Sequence, residues 1–197
     1  MKIVISSSNK DKLREFTNIL GSDYELITKE MLGLEDFDVV EDGKTLSENA
    51  YKKASALYEK VNKPVISDDT GLFVDVLDGA PGVFAARFAG ENCSYEDNVN
   101  KMLDSLKEAT EKENRTAHFK TVICFIDENG KDYYVQGILN GYISFEKTGD
   151  NGFGYDPIFI PEGSEKSLAE MTADEKNKIS HRRKAIEEFK KLLRDFK

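Results

Sequence analysis

Hydrophobic residues recur at the spacing of an α-helix in four parts of the chain. In chain order, the predicted helices are a stretch ending at Gly21, about 45–60, about 95–106, and a C-terminal stretch reaching Phe196. Ser8 and Asp11 have the spacing of a capping box at the start of the first helix, and Thr172 and Glu175 have it before the last. The two ends of the chain are therefore expected to be rich in helix.

Short apolar runs of strand length lie between these helices. The predicted strands are 3–5, 65–66, 115–126, 132–139 and 142–145, and residues 72–77 are also expected to be extended. Asn129-Gly130 and Asn140-Gly141 are turn signals of the kind that joins neighbouring antiparallel strands. Ser67–Gly71 is expected to be a polar turn that ends the strand at 65–66. Helical ends around an antiparallel middle predict an α/β fold with a mixed sheet, in one domain spanning residues 1–197.

Composition narrows the class of protein. The 197 residues suit a single domain that folds without disulfides. The 37 acidic and 28 basic residues give a net charge of −9, which argues against a general nucleic-acid or anionic-membrane binder but still permits a small anionic ligand. No apolar run approaches the roughly 18 residues that span a bilayer, so no membrane partner is expected.

Cysteine and histidine are scarce. Cys93 and Cys124 form no CxxC motif; one disulfide between them is an alternative, but two buried, reduced thiols of a cytosolic protein are expected. His118 and His181 are the only two histidines, too few for a multi-histidine metal site. Any metal is therefore expected to be a hard cation that carboxylates hold.

The turn before the first helix is a candidate phosphate site. Its hydroxyl, amide and cationic groups are Ser7, Ser8, Asn9, Lys10 and Lys12. A helix N-terminus offers unpaired N–H groups and the positive end of its dipole, both of which attract phosphate. An ordinary capped helix is the commoner explanation of the same pattern.

Adjacent carboxylates follow the strand at 65–66. Asp68 and Asp69 are suited to a divalent cation, and Mg²⁺ in particular takes one or two carboxylates together with water and substrate phosphate. Glu41, just before the second helix, could add a ligand. The alternative is that these acids serve only as a turn cap and as a favourable charge at a helix start.

Two features near the C-terminus could bind a base. The glycine-rich stretch 149–157 contains Phe153, which could stack on a base, and Asp156, which could accept its hydrogen bonds. Lys176 and the run 180–184 are cationic at the start of a helix, where the dipole disfavours positive charge, and this conflict favours an anionic partner. A packed aromatic loop and a solvated charged face are the corresponding alternatives.

The order of these motifs resembles the inosine triphosphate pyrophosphatase family over nearly the whole chain. The matching segments are Ser7-Ser8-Asn9 with Lys12, Glu48-Asn49-Ala50 with Lys53, Ser67-Asp68-Asp69-Thr70-Gly71, Gly79-Ala80-Pro81-Gly82, Gly152-Phe153-Gly154-Tyr155-Asp156-Pro157 and Ser180-His181-Arg182. The resemblance implies an elongated, two-lobed α/β fold with a long mixed sheet, flanking helices and an active-site cleft between the lobes. It also implies a cytoplasmic homodimer.

The activity that the resemblance implies is Mg²⁺-dependent hydrolysis of ITP, dITP and XTP to the monophosphate and pyrophosphate, which cleanses the nucleotide pool. Asp69 would be catalytic, and Glu41, Asp69 and Asp68 would hold Mg²⁺. The implied substrate-binding residues are Ser7, Ser8, Asn9, Lys10, Asp11, Lys12, Lys53, Thr70, Phe153, Gly154, Tyr155, Asp156, Lys176, His181 and Arg182.

Three alternatives remain open from the sequence. A related pyrophosphatase could act on modified pyrimidine or methylated nucleotides. A nucleotide-binding regulator could hold the same ligand without turnover, although the acidic pair weighs against it. A nucleic-acid-binding module is disfavoured by the net charge of −9.

Overall fold

The structure is a computed structural model that describes residues 1–21 and 24–196. Its α-helices are α1 (Lys10–Leu20), α2 (Leu46–Val61), α3 (Tyr95–Ser105), α4 (Ala173–Ile179) and α5 (His181–Leu192). Its strands are β1 (Lys2–Ile5), β2 (Glu25–Thr28), β3 (Val65–Val74), β4 (Pro81–Gly82), β5 (Thr116–Ile126), β6 (Asp132–Ile143) and β7 (Phe159–Pro161). No helix among these residues is long and apolar enough to cross a membrane.

The strands form one seven-stranded mixed sheet, which confirms the predicted α/β class. The order is β2-β1-β3-β5-β6-β7, and β4 pairs with β3 outside this path. β1 runs parallel to β2 and β3, whereas β6 and β7 are antiparallel. β5 and β6 are joined by the predicted turn at Asn129-Gly130, where Gly130 has a φ of 79°. The cleft that the resemblance implies stays a prediction.

The expected turn at Ser67–Gly71 is wrong, because β3 continues through these residues. Polar side chains are tolerated inside this buried strand because partners satisfy them. Ser67 Oγ donates to the carbonyl of Ala50, and Asp68 and Asp69 are ion-paired. The acids still lie beyond the end of β1, since the β1–β3 pairing stops at Ile66.

The expected turn at Asn140-Gly141 is also wrong, because β6 continues unbroken through it. Gly141 faces Pro161 of β7, and a Cβ there would lie 2.3 Å from the carbonyl oxygen of Ile160. A glycine inside a strand can mark a close approach of another backbone rather than a turn. Here it lets β7 pair closely with β6.

Helix starts and ends differ from the predictions in two places. Asn9, rather than Ser8, caps α1, and its Oδ1 accepts hydrogen bonds from the backbone N–H groups of Asp11 and Lys12. The single predicted C-terminal helix is divided at Ser180, which has an extended backbone. The predicted capping box of Thr172 and Glu175 is confirmed at the start of α4.

The chain clusters into two compact units. Unit 1 comprises 1–69, 121–137 and 182–197, and unit 2 comprises 70–120 and 138–181. Neither is a continuous segment, and β3, β5 and β6 each contribute residues to both. The single domain over 1–197 stays a prediction.

Each unit has its own apolar core. In unit 1 the alternation of β1 separates two clusters. Ile3 and Ile5 pack with side chains of α1 and α5, whereas Val4 packs with the apolar stripe of α2. Cys124 is buried in the second cluster, as expected, but Cys93 of unit 2 is only half-buried. The unit 2 core joins α3 to β5, β6 and β7.

Candidate active site

The start of α1 presents backbone donors beside a lysine. Asn9 Oδ1 accepts from the N–H groups of Asp11 at 3.0 Å and Lys12 at 3.1 Å, and Ser7 Oγ accepts from the N–H of Asn9 at 3.3 Å. Lys12 is only 17% exposed, unlike the exposed Ser8 and Lys10. Of the two lysines in this segment, only Lys12 is enclosed by the protein, so we take Lys12 rather than Lys10 as the cation of this site.

Lys12 belongs to a buried network of charges in unit 1. Its Nζ lies 3.0 Å from Asp68 Oδ2, and Arg182 Nε lies 3.6 Å from the same oxygen. Arg182 also pairs with Glu15 on α1. These contacts place Arg182 against Asp68, whereas the sequence suggested that it reads a base; the base-reading role stays a prediction.

The protonation of this pair follows from burial and charge together. Burial lowers the pKa of Lys12, and Asp68 counteracts part of that effect. Burial alone would raise the pKa of Asp68, but Lys12 and Arg182 outweigh it and hold this pKa well below its usual range. Asp68 is therefore an anion at neutral pH and pairs with a buried lysine.

A second lysine joins the other two predicted acids. Lys53 Nζ of α2 lies 2.8 Å from Glu41 Oε2 and 3.4 Å from Asp69 Oδ1. Burial by itself would lower the pKa of Lys53, but the carboxylates of Asp69 and Glu41 outweigh it and raise this pKa. Burial raises the pKa of Asp69, and Lys53 offsets only part of that shift. Two carboxylates thus converge on a single cationic group.

The structure also reveals partners that the sequence reasoning missed. Asn49 donates from Nδ2 to Asp69 Oδ2 at 3.1 Å, and Glu15 holds Arg182. Asn49 lies inside one of the segments that match the family, and Glu15 lies next to another. The local sequence did not show which side chain each of them would contact. Among the described residues, no group of three or more His, Cys, Asp or Glu is arranged to hold a metal.

Unit 2 brings together three of the predicted base-site residues. Lys176 Nζ lies 2.7 Å from Asp156 Oδ2 and 4.6 Å from the centre of the Phe153 ring. The same Asp156 oxygen accepts from the N–H of Phe153 at 2.8 Å. The ring of Tyr95 lies 5.9 Å from that of Phe153. An aromatic ring, an anion and a cation are thus fixed relative to one another.

The other predicted residues take varied positions. The ring of His181 stacks on Phe119 at 4.6 Å, and the hydroxyl of Tyr155 donates to the carbonyl of Ala85 at 2.8 Å inside the unit 2 core. Thr70 follows Asp69 in β3 and is half-buried. Gly154 has a φ of 64° in the glycine-rich loop, and Asp11 pairs with Arg14 on the outer side of α1.

The fold and these groups define a class: an α/β protein with buried lysines and carboxylates suited to a phosphorylated ligand. The chain belongs to the Ham1 family, which matches residues 3–192. The family resemblance read from the motifs is thereby confirmed.

Similar proteins cover nearly the whole chain. It is 49% identical to the dITP/XTP pyrophosphatase of Thermoanaerobacter pseudethanolicus, over 98% of this chain and 96% of the relative. It is 44% identical to the dITP/XTP pyrophosphatase of Bacillus subtilis, over 96% of both chains. The solved structure of the Staphylococcus aureus Ham1 protein superposes with a TM-score of 0.88 at 40% identity, covering 100% of both chains.

Proposed function

We propose that this chain is a Mg²⁺-dependent pyrophosphatase that hydrolyses the deaminated purine nucleotides dITP, ITP and XTP to the monophosphate and pyrophosphate. The observation that carries the proposal is the buried pair Lys12 and Lys53, held by carboxylates, in a chain whose relatives are named dITP/XTP pyrophosphatases. Phosphoryl chemistry depends mainly on positioning and charge neutralisation, and these groups are suited to both.

The triphosphate is bound by the cationic groups of unit 1. Lys12 and Lys53 contact phosphate oxygens, and the start of α1 adds the positive end of the helix dipole. Ser7, Ser8 and Asn9 line the same turn. Because Asp68, which is itself paired with Arg182, already holds Lys12, the lysine loses little side-chain freedom when the phosphate binds.

The acids of unit 1 fit a magnesium ion. Glu41 and Asp69 already share one cationic partner, Lys53, and both offer carboxylate oxygens. Two such ligands leave places for water and substrate phosphate, which Mg²⁺ prefers. Bound there, Mg²⁺ would neutralise phosphate charge and polarise the α-phosphoryl group. Asp68 faces Lys12 instead, so we assign it the positioning of that lysine.

Asp69 also acts on the attacking water. It orients the water and takes its proton while the oxygen attacks the α-phosphorus in line. The bond from that phosphorus to the bridging oxygen breaks, and pyrophosphate leaves. Lys12 and Lys53 compensate the charge that develops on the departing group.

The base is bound by the groups of unit 2. Phe153 stacks on the purine, and Lys176 donates to the 6-oxo group that distinguishes hypoxanthine and xanthine from adenine. Asp156 fixes Lys176 at 2.7 Å and can accept a hydrogen bond from the base edge. His181 extends this polar edge, in its position against Phe119.

The biological role follows from the substrates. Deaminated nucleotides are removed before polymerases use them, which places the enzyme in the cytoplasm with the nucleotide pool. We also propose a homodimer, on the basis of the family resemblance; light scattering after size-exclusion chromatography would show twice the chain mass of 22.2 kDa.

A substrate panel tests the proposal. Pyrophosphate release is measured for dITP, ITP, XTP, dATP, dGTP, dUTP and a methylated dNTP, each with Mg²⁺ and with EDTA. We expect turnover of the first three, by at least about tenfold in kcat/KM over dATP, and none with EDTA. If only dUTP or only the methylated nucleotide is hydrolysed, the chain is a pyrophosphatase for a different class of nucleotide. Binding of dITP without pyrophosphate release would identify a regulator.

A further inference from the structure

Asn49 lies at the junction of the two segments that carry Glu41 and Asp69. It is in the first turn of α2 and is 1% exposed. Its Oδ1 accepts from the N–H of Gly43 at 2.8 Å, and its Nδ2 donates to Asp69 Oδ2 at 3.1 Å. One buried amide therefore holds the loop before α2 with one end and a strand carboxylate with the other.

The loop that carries Glu41 is fitted closely to this amide. A Cβ on Gly43 would lie 2.5 Å from Asn49 Oδ1 and 2.9 Å from Glu48 Cβ, so only glycine allows the approach without displacement. Glu48 Oε2 accepts from the next backbone N–H, that of Lys44, at 2.6 Å. Two successive backbone donors just after Glu41 are thus bound to the start of α2.

The two oxygens of Asp69 have different partners. Oδ2 takes the amide of Asn49, whereas Oδ1 faces Lys53 Nζ at 3.4 Å. The same Nζ binds Glu41 Oε2 at 2.8 Å. By holding Oδ2, Asn49 turns Oδ1 towards the position that Glu41 also faces.

We propose that Asn49 is a positioning residue that sets the relative placement of Glu41 and Asp69 for magnesium binding and turnover. The inference rests on the proposed function and deepens it. Hydrogen-bond partners behind a metal ligand fix its orientation, and their loss typically lowers metal affinity or activity by about 10–100-fold.

The test compares Asn49→Ala with a matched control, Asn98→Ala. Asn98 is also buried on the first turn of a helix, and its amide also accepts from one backbone N–H, that of Ala89, and donates to one acceptor, the carbonyl of Ala86. Both substitutions remove the same kind of buried asparagine, but only Asn49 contacts a carboxylate of the site. Melting temperature, the affinity for MgCl₂ alone by calorimetry, and kcat and KM for dITP are measured for both.

We expect both variants to melt at lower temperature, but only Asn49→Ala to lose function. Its affinity for Mg²⁺ falls at least about tenfold and its kcat falls about 10–100-fold, while KM for dITP changes less than about threefold. Asn98→Ala keeps the wild-type Mg²⁺ affinity and kcat.

Three results would overturn the inference: Mg²⁺ affinity unchanged in Asn49→Ala, equal losses in both variants, or a wild-type chain that takes up no Mg²⁺. A wild type that binds Mg²⁺ but releases no pyrophosphate from dITP contradicts the proposed function instead. In that case the calorimetric comparison of the two variants still decides the role of Asn49.

Discussion

At the scale of single residues, burial and charge together decide which side chains serve the site. Lys12 and Lys53 are both lysines of a Lys-rich chain, yet each is enclosed and faces a carboxylate, at 3.0 Å and 2.8 Å respectively. Lys10 lies only two positions from Lys12 but is exposed to solvent. Enclosure strengthens each pair by excluding water, which is why these two cations are the ones suited to hold phosphate.

Replacing Asp69 by Asn tests the role of its negative charge. The amide has nearly the shape of the carboxylate but can neither take a proton from water nor neutralise a cation. We expect kcat for pyrophosphate release from dITP to fall at least about 100-fold, with the fold preserved by circular dichroism. Asp104→Asn on the exposed side of α3 is the control and keeps the wild-type rate. A near-normal rate in folded Asp69→Asn would remove the proposed role.

Replacing Phe153 by Ala tests stacking on the base. We expect KM for dITP to rise about tenfold, because the stacking of a base on an aromatic ring contributes about 1–3 kcal/mol. Phe84→Ala is a matched control, since Phe84 also has a cation over its ring, Arg87 at 5.1 Å, and is 52% exposed. The KM for dITP is measured by steady-state kinetics for both variants. The same KM in Phe153→Ala and Phe84→Ala would exclude the stacking role of Phe153.

At the scale of elements, local signals predicted some helix starts and turns, but not where a strand continues through polar or glycine residues. The capping box before α4 and the turn at Asn129-Gly130 depend on neighbours within four residues, and both are confirmed. The middle of β3 was missed because Ser67–Gly71 has the composition of a turn. What keeps it extended is its place in the sheet between β1 and β5, with β4 also paired to it, and no local pattern contains that information.

The same limit applies to the candidate site. The acids, the lysines and Phe153 could be named as candidate site residues from the sequence, because the chemistry of each follows from its residue type. Their pairing could not be predicted, since it depends on which elements become neighbours in the sheet. The Arg182–Asp68 contact and the bridge made by Asn49 are both of this kind.

Two glycines with the same φ angle allow the effect of side-chain crowding on stability to be measured apart from that of backbone strain. Gly149 and Gly163 both have a φ of +77°. A Cβ at Gly149 would lie 2.3 Å from the backbone carbon of Ala169, whereas a Cβ at Gly163 would meet nothing within 4 Å. We expect Gly163→Ala to lower the free energy of unfolding by about 1–2 kcal/mol and Gly149→Ala by roughly twice as much or more. Urea denaturation of both variants measures this, and equal losses would show that crowding plays no part.

At the scale of the whole molecule, the charge distribution favours a compact anion over a polymeric one. The net charge is −9, yet the buried cations of unit 1 face two adjacent carboxylates: Lys12 and Arg182 lie against Asp68, and Lys53 lies against Asp69. A long polyanion would have to lie along the acidic surface, whereas a triphosphate needs only the local cations.

Duplex DNA is therefore expected not to compete with the nucleotide. At about 0.15 M salt, a large excess of DNA over enzyme should leave the KM for dITP unchanged within error, and fluorescence anisotropy of labelled DNA should show no binding at micromolar protein. The positively charged protein lysozyme serves as the positive control for the DNA probe. Inhibition of dITP hydrolysis by DNA, or an increase in the anisotropy of the labelled DNA, would contradict the prediction that the acidic surface does not bind a polyanion.

The interleaved segments of unit 1 have a consequence for synthesis on the ribosome. Its core joins Ile3, Ile5 and Phe16 to Ile186 and Phe189, so the residues of β1 and α1 are synthesised long before their partners in α5. Unit 2 ends at residue 181, the first residue of α5, so its sequence is complete before the rest of α5 emerges. The nascent chain therefore exposes the apolar side of β1 and α1 until residues 182–196 leave the exit tunnel, and this interval is when it most needs a chaperone.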